Sequence, residues 1–200
     1  MHSSGSSPCW LGYAPVTDKA ERTVGRRLFS TVAVLCPGET GGCIVEELKL
    51  AAMRLFGVEP EFVSEPGAAA LVVGVDLAGC PSDQLNDEGF VIIPGAGPEQ
   101  VIITAKTGRG LLYGVFAFLR RLQLRQAIPG NLASQAIVEN PSVPLRMINH
   151  WDNLDGSVER GYAGRSILWA DGSLAPDQQR IASYARLLAS VGINAIALNN

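Results

Sequence analysis

Histidine is almost missing from this chain. Only His2 and His150 occur in 200 residues, and the four cysteines, Cys9, Cys36, Cys43 and Cys80, form no C-x-x-C pair. A zinc site draws on those residue types at short spacings, so it has few ligands to draw on here. The thiols read as reduced and partly buried. A Cys36–Cys43 disulfide is the alternative and would require an oxidising compartment. Charge of one sign is lacking as well: 16 Lys and Arg against 19 Asp and Glu leave a formal charge of −3. The basic residues are scattered, which speaks against nucleic acid as a partner. No apolar run approaches the roughly 18 residues of a membrane span, so no membrane partner is expected. Residues 1–8 have neither a basic nor an apolar signal-peptide region; they read as a flexible leader, and a cytoplasmic location is expected.

Hydrophobic residues make up 47% of the chain, enough for one good core or one core plus part of another. Thr31 to Cys36 and Ala70 to Val75 are apolar, β-branched runs that read as buried strands. Val45 to Phe56 repeats apolar residues at helical spacing and stops at Gly57. Phe90–Ile93 and Gln100–Ala105 flank a Pro/Gly-rich turn and predict a hairpin. Leu111 to Leu122 predicts a helix with the stripe Leu111, Val115, Phe118, Leu119 and Leu122, with Arg120, Arg121 and Arg125 near its negative end. These elements form a small layered α/β domain spanning 9–138. Residues 139–143 carry Pro141 and read as a linker. From 144 to 200 the pattern becomes strand (Leu145–Ile148), polar loop, helix (Asp177 to Val191, with Ile181, Tyr184, Leu188 and Val191 inward) and strand (Ile193–Leu198). Such a unit opens a parallel sheet or barrel, whose ligand site lies at the carboxyl ends of the strands.

Gly108-Arg109-Gly110-Leu111-Leu112-Tyr113-Gly114 sits between a strand and a helix, where a dinucleotide fingerprint belongs. No second strand with a terminal acidic residue follows, so close helix–sheet packing is the favoured reading over nucleotide binding. The segment from Asn149 to Arg165 is more informative. It gathers a tryptophan, a histidine, two asparagines, three carboxylates and two arginines directly after a strand. Each such polar group costs about 1–3 kcal/mol if buried unpaired, so the mixture suits a surface site. An indole face covers the apolar face of a pyranose, while Asn and Asp fork onto vicinal hydroxyls. Trp151, Asn149, His150, Asp152 and, at the second strand end, Asn199 are therefore the expected sugar contacts. His150 fits a structural hydrogen bond equally well. Asp152, Asp155 and Glu159 are carboxylates of the kind that glycoside hydrolysis uses in pairs, but they crowd one loop, whereas the pair must flank a bond from both sides. Arg160 and Arg165 suit either a ligand carboxylate or salt bridges within the loop.

From Pro144 to Trp169 the chain resembles glycoside hydrolase family 67, the α-glucuronidases, at the entry to their barrel. Trp10-Leu11-Gly12-Tyr13-Ala14-Pro15 and Gly110 to Arg120 resemble the family's amino-terminal domain, and Gly192 to Asn200 its second barrel strand. The resemblance implies a non-catalytic α/β domain, like the accessory domain of hexosaminidases, followed by a (β/α)₈ TIM barrel. It implies release of (4-O-methyl)-glucuronic acid, α-1,2-linked to xylose in glucuronoxylan oligosaccharides (aldouronic acids), with inversion. Trp151 matches a tryptophan lining the family's uronic-acid pocket, and neither a metal nor an organic cofactor is implied. The family's catalytic carboxylates lie on later barrel strands. Residues 144–200 supply the start of a barrel that needs about 250 residues, so no catalytic residue is expected among these 200, and the chain by itself is expected to be inactive. Any homodimer would form through regions outside it. The alternative is a non-catalytic carbohydrate-binding or assembly module.

Overall fold

The computed structural model describes residues 11–78, 80, 84–97, 99–126, 136–161, 164–174 and 177–198. They fall in two compact units, Tyr13–Ser142 and Val143–Asn200 with Met1–Gly12. The proposed leader, Cys9, Asn199 and Asn200 lie outside the described residues.

The first unit is built on a six-stranded mixed sheet. Its strands are β1 (Thr31–Leu35), β2 (Glu61–Phe62), β3 (Leu71–Val75), β4 (Phe90–Pro94), β5 (Val101–Ala105) and β6 (Ile137–Glu139), in the order β2-β1-β3-β5-β4-β6. The first four strands in that order are parallel; β4 runs antiparallel to β5 and β6. The helices are α1 (Lys19–Leu28), α2 (Gly38–Phe56) and α3 (Gly108–Gln123). The layered α/β reading of the sequence therefore holds. Continuous apolar runs became the central strands because they are covered on both faces. Val32, Leu71, Val73, Val101 and Ile103 are fully or almost fully buried, and Ala33 and Val72 form a smaller cluster with half-buried Ile102.

Three expectations for this unit need correction. Helix α2 begins at Gly38, seven residues before Val45, and ends as expected at Gly57, whose φ of 64° is left-handed. Glycine-rich Gly38-Glu39-Thr40-Gly41-Gly42 has poor helix propensity, yet Gly41 is buried so close to β1 that only a hydrogen fits. Helix α3 is buried on more than one stripe: Tyr113, Phe116 and Ala117 join Leu111, Val115, Phe118 and Leu119 in the core. Finally, Glu139 and Asn140 do not behave as linker. Glu139 ends β6 and pairs with Arg121 at 2.7 Å. The Asn140 amide donates to Gln84 O (2.8 Å) and accepts from Asn86 N (2.9 Å). A side-chain amide that satisfies two backbone groups anchors a strand end despite the proline that follows.

The glycine motif at 108–114 has a packing explanation. Thr107 caps α3 by accepting from Gly110 N (3.2 Å). A Cβ on Gly110 would lie 2.6 Å from Gly89 O, and one on Gly114 3.0 Å from Phe90 and Ile103. Arg109 pairs with the buried Glu88 carboxylate at 3.1 Å. The glycines bring the helix onto the sheet, and the arginine already has a counterion, which removes the basis for a phosphate cradle. Another core feature had no sequence signal: the Tyr13 hydroxyl donates to Glu47, and both residues are buried.

In the second unit, β7 (Met147–Asn149) lies parallel to β10 (Ala195–Ala197), in the register Met147↔Ala195, Ile148↔Ile196, Asn149↔Ala197. Between them come β8 (Trp169–Ala170), β9 (Ser173–Leu174) and α4 (Gln178–Ser190). Asp177 caps α4 by accepting from Arg180 N at 2.9 Å. The start of the unit is stitched by Arg146, which donates to Gly192 O and Val143 O at 2.6 Å each. Val191, expected to point inward, is 57% exposed, because the helix has ended and its backbone has left helical geometry. Hairpin β8–β9 turns at Asp171 and Gly172, both with positive φ (49° and 82°). That is the Asp-Gly signature of a two-residue turn.

Candidate functional site

The carboxyl ends of β7 and β10 coincide, and the Asn149–Arg165 loop leaves from there. Successive side chains of an extended segment alternate in direction. Ile148 is half-buried and His150 reaches α4, where its Nε2 lies 2.9 Å from the Tyr184 hydroxyl. Met147 and Asn149, on the other side, are exposed, as is Trp151 at 43%. Asn149 has no hydrogen-bond partner among the described residues, so its amide is open to solvent or ligand. Arg160 stands beside Trp151 with its guanidinium carbon 6.0 Å from the ring centroid. It adopts φ 60°, ψ 8°, left-handed geometry that a non-glycine residue seldom takes.

The five expected contacts thus separate into groups. Asn149 and Trp151 share one side of the strand end. His150 and Asp152 are turned the other way, with side-chain exposures of 14% and 7%. Asp152 accepts from the Ser166 hydroxyl, and its second oxygen is 3.7 Å from His150 Nδ1. Asn199 lies outside the described residues. Tyr184 and Ser166 are the partners that inspection of the loop missed. Tyr184 lies 34 positions from His150, a separation that no local pattern reveals.

The other loop carboxylates have local work. Asp155 accepts from Ser157 N (2.8 Å) and Ser157 Oγ (2.7 Å), closing an Asx turn. Gly156 takes φ 86° at its tip. Arg165 donates to Asp155 O at 3.1 Å, and Arg160 lies 3.8 Å from Glu159. The Ser157 hydroxyl, then its backbone N–H, and to a lesser degree Arg165 hold the Asp155 carboxyl below its ordinary value of 3.8. A lowered folded-state pKa contributes stability that is complete above the ordinary value and is lost as pH falls through the folded one. Asp155→Asn should therefore raise amide exchange at Gly156 and Ser157 several-fold at neutral pH. The difference from wild type should shrink on acidification below 3.8. Equal exchange at neutral pH would mean that the turn does not depend on the carboxylate.

Among the described residues, no three His, Cys, Asp or Glu side chains cluster closely enough to hold a metal ion. Cys36, Cys43 and Cys80 are free thiols, and burial raises the pKa of Cys36 and Cys80. No helix among the described residues is long and apolar enough to cross a membrane.

The chain thus carries an α/β sheet domain followed by a parallel β-α-β unit, with an exposed tryptophan at the carboxyl end of its first strand. The chain is similar in fold to a family GH115 4-O-methyl-α-glucuronidase with specificity for decorated arabinogalactans (TM-score 0.53, 15% identity, 83% of this chain and 24% of the other). It is likewise similar to a GH138 enzyme targeting pectin rhamnogalacturonan II (TM-score 0.55, 21% identity, 85% and 19%). In sequence, residues 9–118 match the glycosyl hydrolase family 67 N-terminus and residues 126–200 the family's middle domain. The chain belongs to glycosyl hydrolase family 67. Its relatives include α-glucuronidase A of Emericella nidulans, 35% identical over 96% of this chain, and that of Aspergillus tubingensis, 34% identical over 96%. The chain spans about a quarter of the length of these relatives (24% and 23%).

Proposed function

We propose that the protein to which these residues belong is an inverting α-glucuronidase. It would release (4-O-methyl)-glucuronic acid, α-1,2-linked to xylose in glucuronoxylan-derived oligosaccharides. Trp151 would form one wall of the uronic-acid pocket, with Asn149 reaching sugar hydroxyls from the end of β7. The observation that carries this reading is the exposed indole at the carboxyl end of β7, beside the exposed Asn149, in a family 67 chain. The general acid and base come from outside the 200 residues. An inverting pair stands roughly 6.5–9.5 Å apart across a bond, whereas Asp152 is buried against Ser166 and Asp155 is engaged by Ser157.

The test compares residues 1–200 with the product of the complete reading frame on aldouronic acids. Release of glucuronic acid is expected from the complete product only. Turnover by residues 1–200 alone would overturn the placement of the acid and base. Retained glucuronate binding with no turnover by the complete product would leave a carbohydrate-binding module as the function.

A further inference from the structure

Trp151 is an exposed residue between half-buried His150 and buried Asp152. On one side, His150 packs edge-to-face on Tyr184, with ring centroids 5.5 Å apart and planes at 78°. Its Nε2 meets the Tyr184 hydroxyl at 2.9 Å, and its Nδ1 faces Asp152 Oδ1 at 3.7 Å. On the other side, Asp152 accepts from the Ser166 hydroxyl. The Ser166 oxygen in turn accepts from the backbone N–H groups of Leu168 and Trp169, at 2.9 Å each. The main chain is held at the same places: His150 N donates to Ala197 O (3.1 Å), and Glu159 N donates to Trp151 O (2.8 Å).

We propose that Tyr184, His150, Asp152 and Ser166 form a positioning chain that aims Trp151 at the ligand, and that His150 and Asp152 do not themselves touch sugar. The proposal rests on the reading of Trp151 as a pyranose platform. Its physical basis is the alternation of an extended backbone. When residues 150 and 152 are both anchored toward α4 and Ser166, residue 151 has only the opposite side to occupy. An exposed indole free to change rotamer must be ordered on binding, which weakens association; anchored neighbours remove part of that cost beforehand. The chain is also chemically consistent. Burial, and secondarily the charge of Asp152, push the Tyr184 phenol up, so it keeps its proton. A tyrosine hydroxyl can donate to an imidazole nitrogen or accept from one, so the Tyr184–Nε2 contact holds in either ring tautomer.

The experiment labels residues 1–200 with 5-fluorotryptophan and identifies the Trp151 fluorine resonance by its loss in Trp151→Phe. Tyr184→Phe keeps the ring and removes only the hydroxyl; His150→Gln keeps a side-chain amide that can reach Tyr184. In Tyr184→Phe the Trp151 resonance should shift or broaden without any ligand, and affinity for glucuronic acid should fall about three- to tenfold. His150→Gln should retain more affinity than His150→Ala. An unchanged Trp151 resonance in both Tyr184→Phe and His150→Ala would overturn the proposal. So would equal loss of binding in His150→Gln and His150→Ala with the Trp151 resonance intact, which would make His150 a ligand contact. If the resonance responds as expected but wild type binds no glucuronic acid, the positioning chain stands and the carbohydrate reading fails.

Discussion

Trp151→Ala should weaken binding of a glucuronate-bearing xylooligosaccharide to the complete protein by roughly thirtyfold, with little change in stability. Covering about 80 Å² of indole at about 25 cal/mol per Å² is worth about 2 kcal/mol, a factor of roughly thirty in affinity. The side chain is 43% exposed, and its cation contact among the described residues, Arg160 at 6.0 Å, is itself at the surface. Exposed cation–π pairs contribute about 0.5–1 kcal/mol at most, so the unfolding midpoint should move only slightly. Titration calorimetry beside a melting curve separates the two effects. Unchanged affinity would remove Trp151 from the pocket. A large fall in melting temperature would mean that the indole is part of the packing of its own loop. Trp151→Phe keeps an aromatic face of smaller area and should recover part of the loss, as stacking requires and simple space-filling does not.

What was legible in the sequence followed from how local the determining interaction is. β1, β3 and the β4–β5 hairpin are continuous apolar runs between turn residues, and they lie where those runs lie. α3 and α4 carry their own caps in Thr107 and Asp177. β6 was hidden because its partner, β4, is remote in sequence and because Pro141 marks the stretch as linker. The site divides in the same way. A tryptophan among amides and carboxylates suggests a ligand surface from residue types alone, and the structure leaves that tryptophan exposed. That His150 and Asp152 face away from it depends on Tyr184, 34 residues on in the crossover helix, and on Ser166, 14 residues on past the end of the loop, and no local pattern reveals either contact. The Asp171-Gly172 turn is different: its signal is local and present in the sequence, although it lies inside a stretch that otherwise reads as polar loop.

Adjacent glycines in α2 should respond to alanine with opposite signs, and the contrast tests where that helix begins. A Cβ on Gly41 would stand 1.9 Å from Cys36 O and 3.0 Å from its carbonyl carbon. Both atoms are backbone at the end of β1, and neither can step aside as a flexible side chain would. Either the first turn of α2 lifts off the strand or the strand end moves, at a cost of about 3 kcal/mol, the upper part of the usual range for overpacking. A Cβ on Gly42 meets nothing within 4 Å, and the residue is exposed. There alanine should stabilise by about 0.5–1 kcal/mol, because glycine gives up more backbone entropy in a helix. With two compact units in the chain, a single unfolding curve mixes two transitions. Hydrogen exchange of α2 peptides through a urea series reports the first unit by itself. Were Gly41→Ala to match wild type, residues 38–44 would not be helical against β1, and α2 would start near Val45, where the hydrophobic periodicity begins.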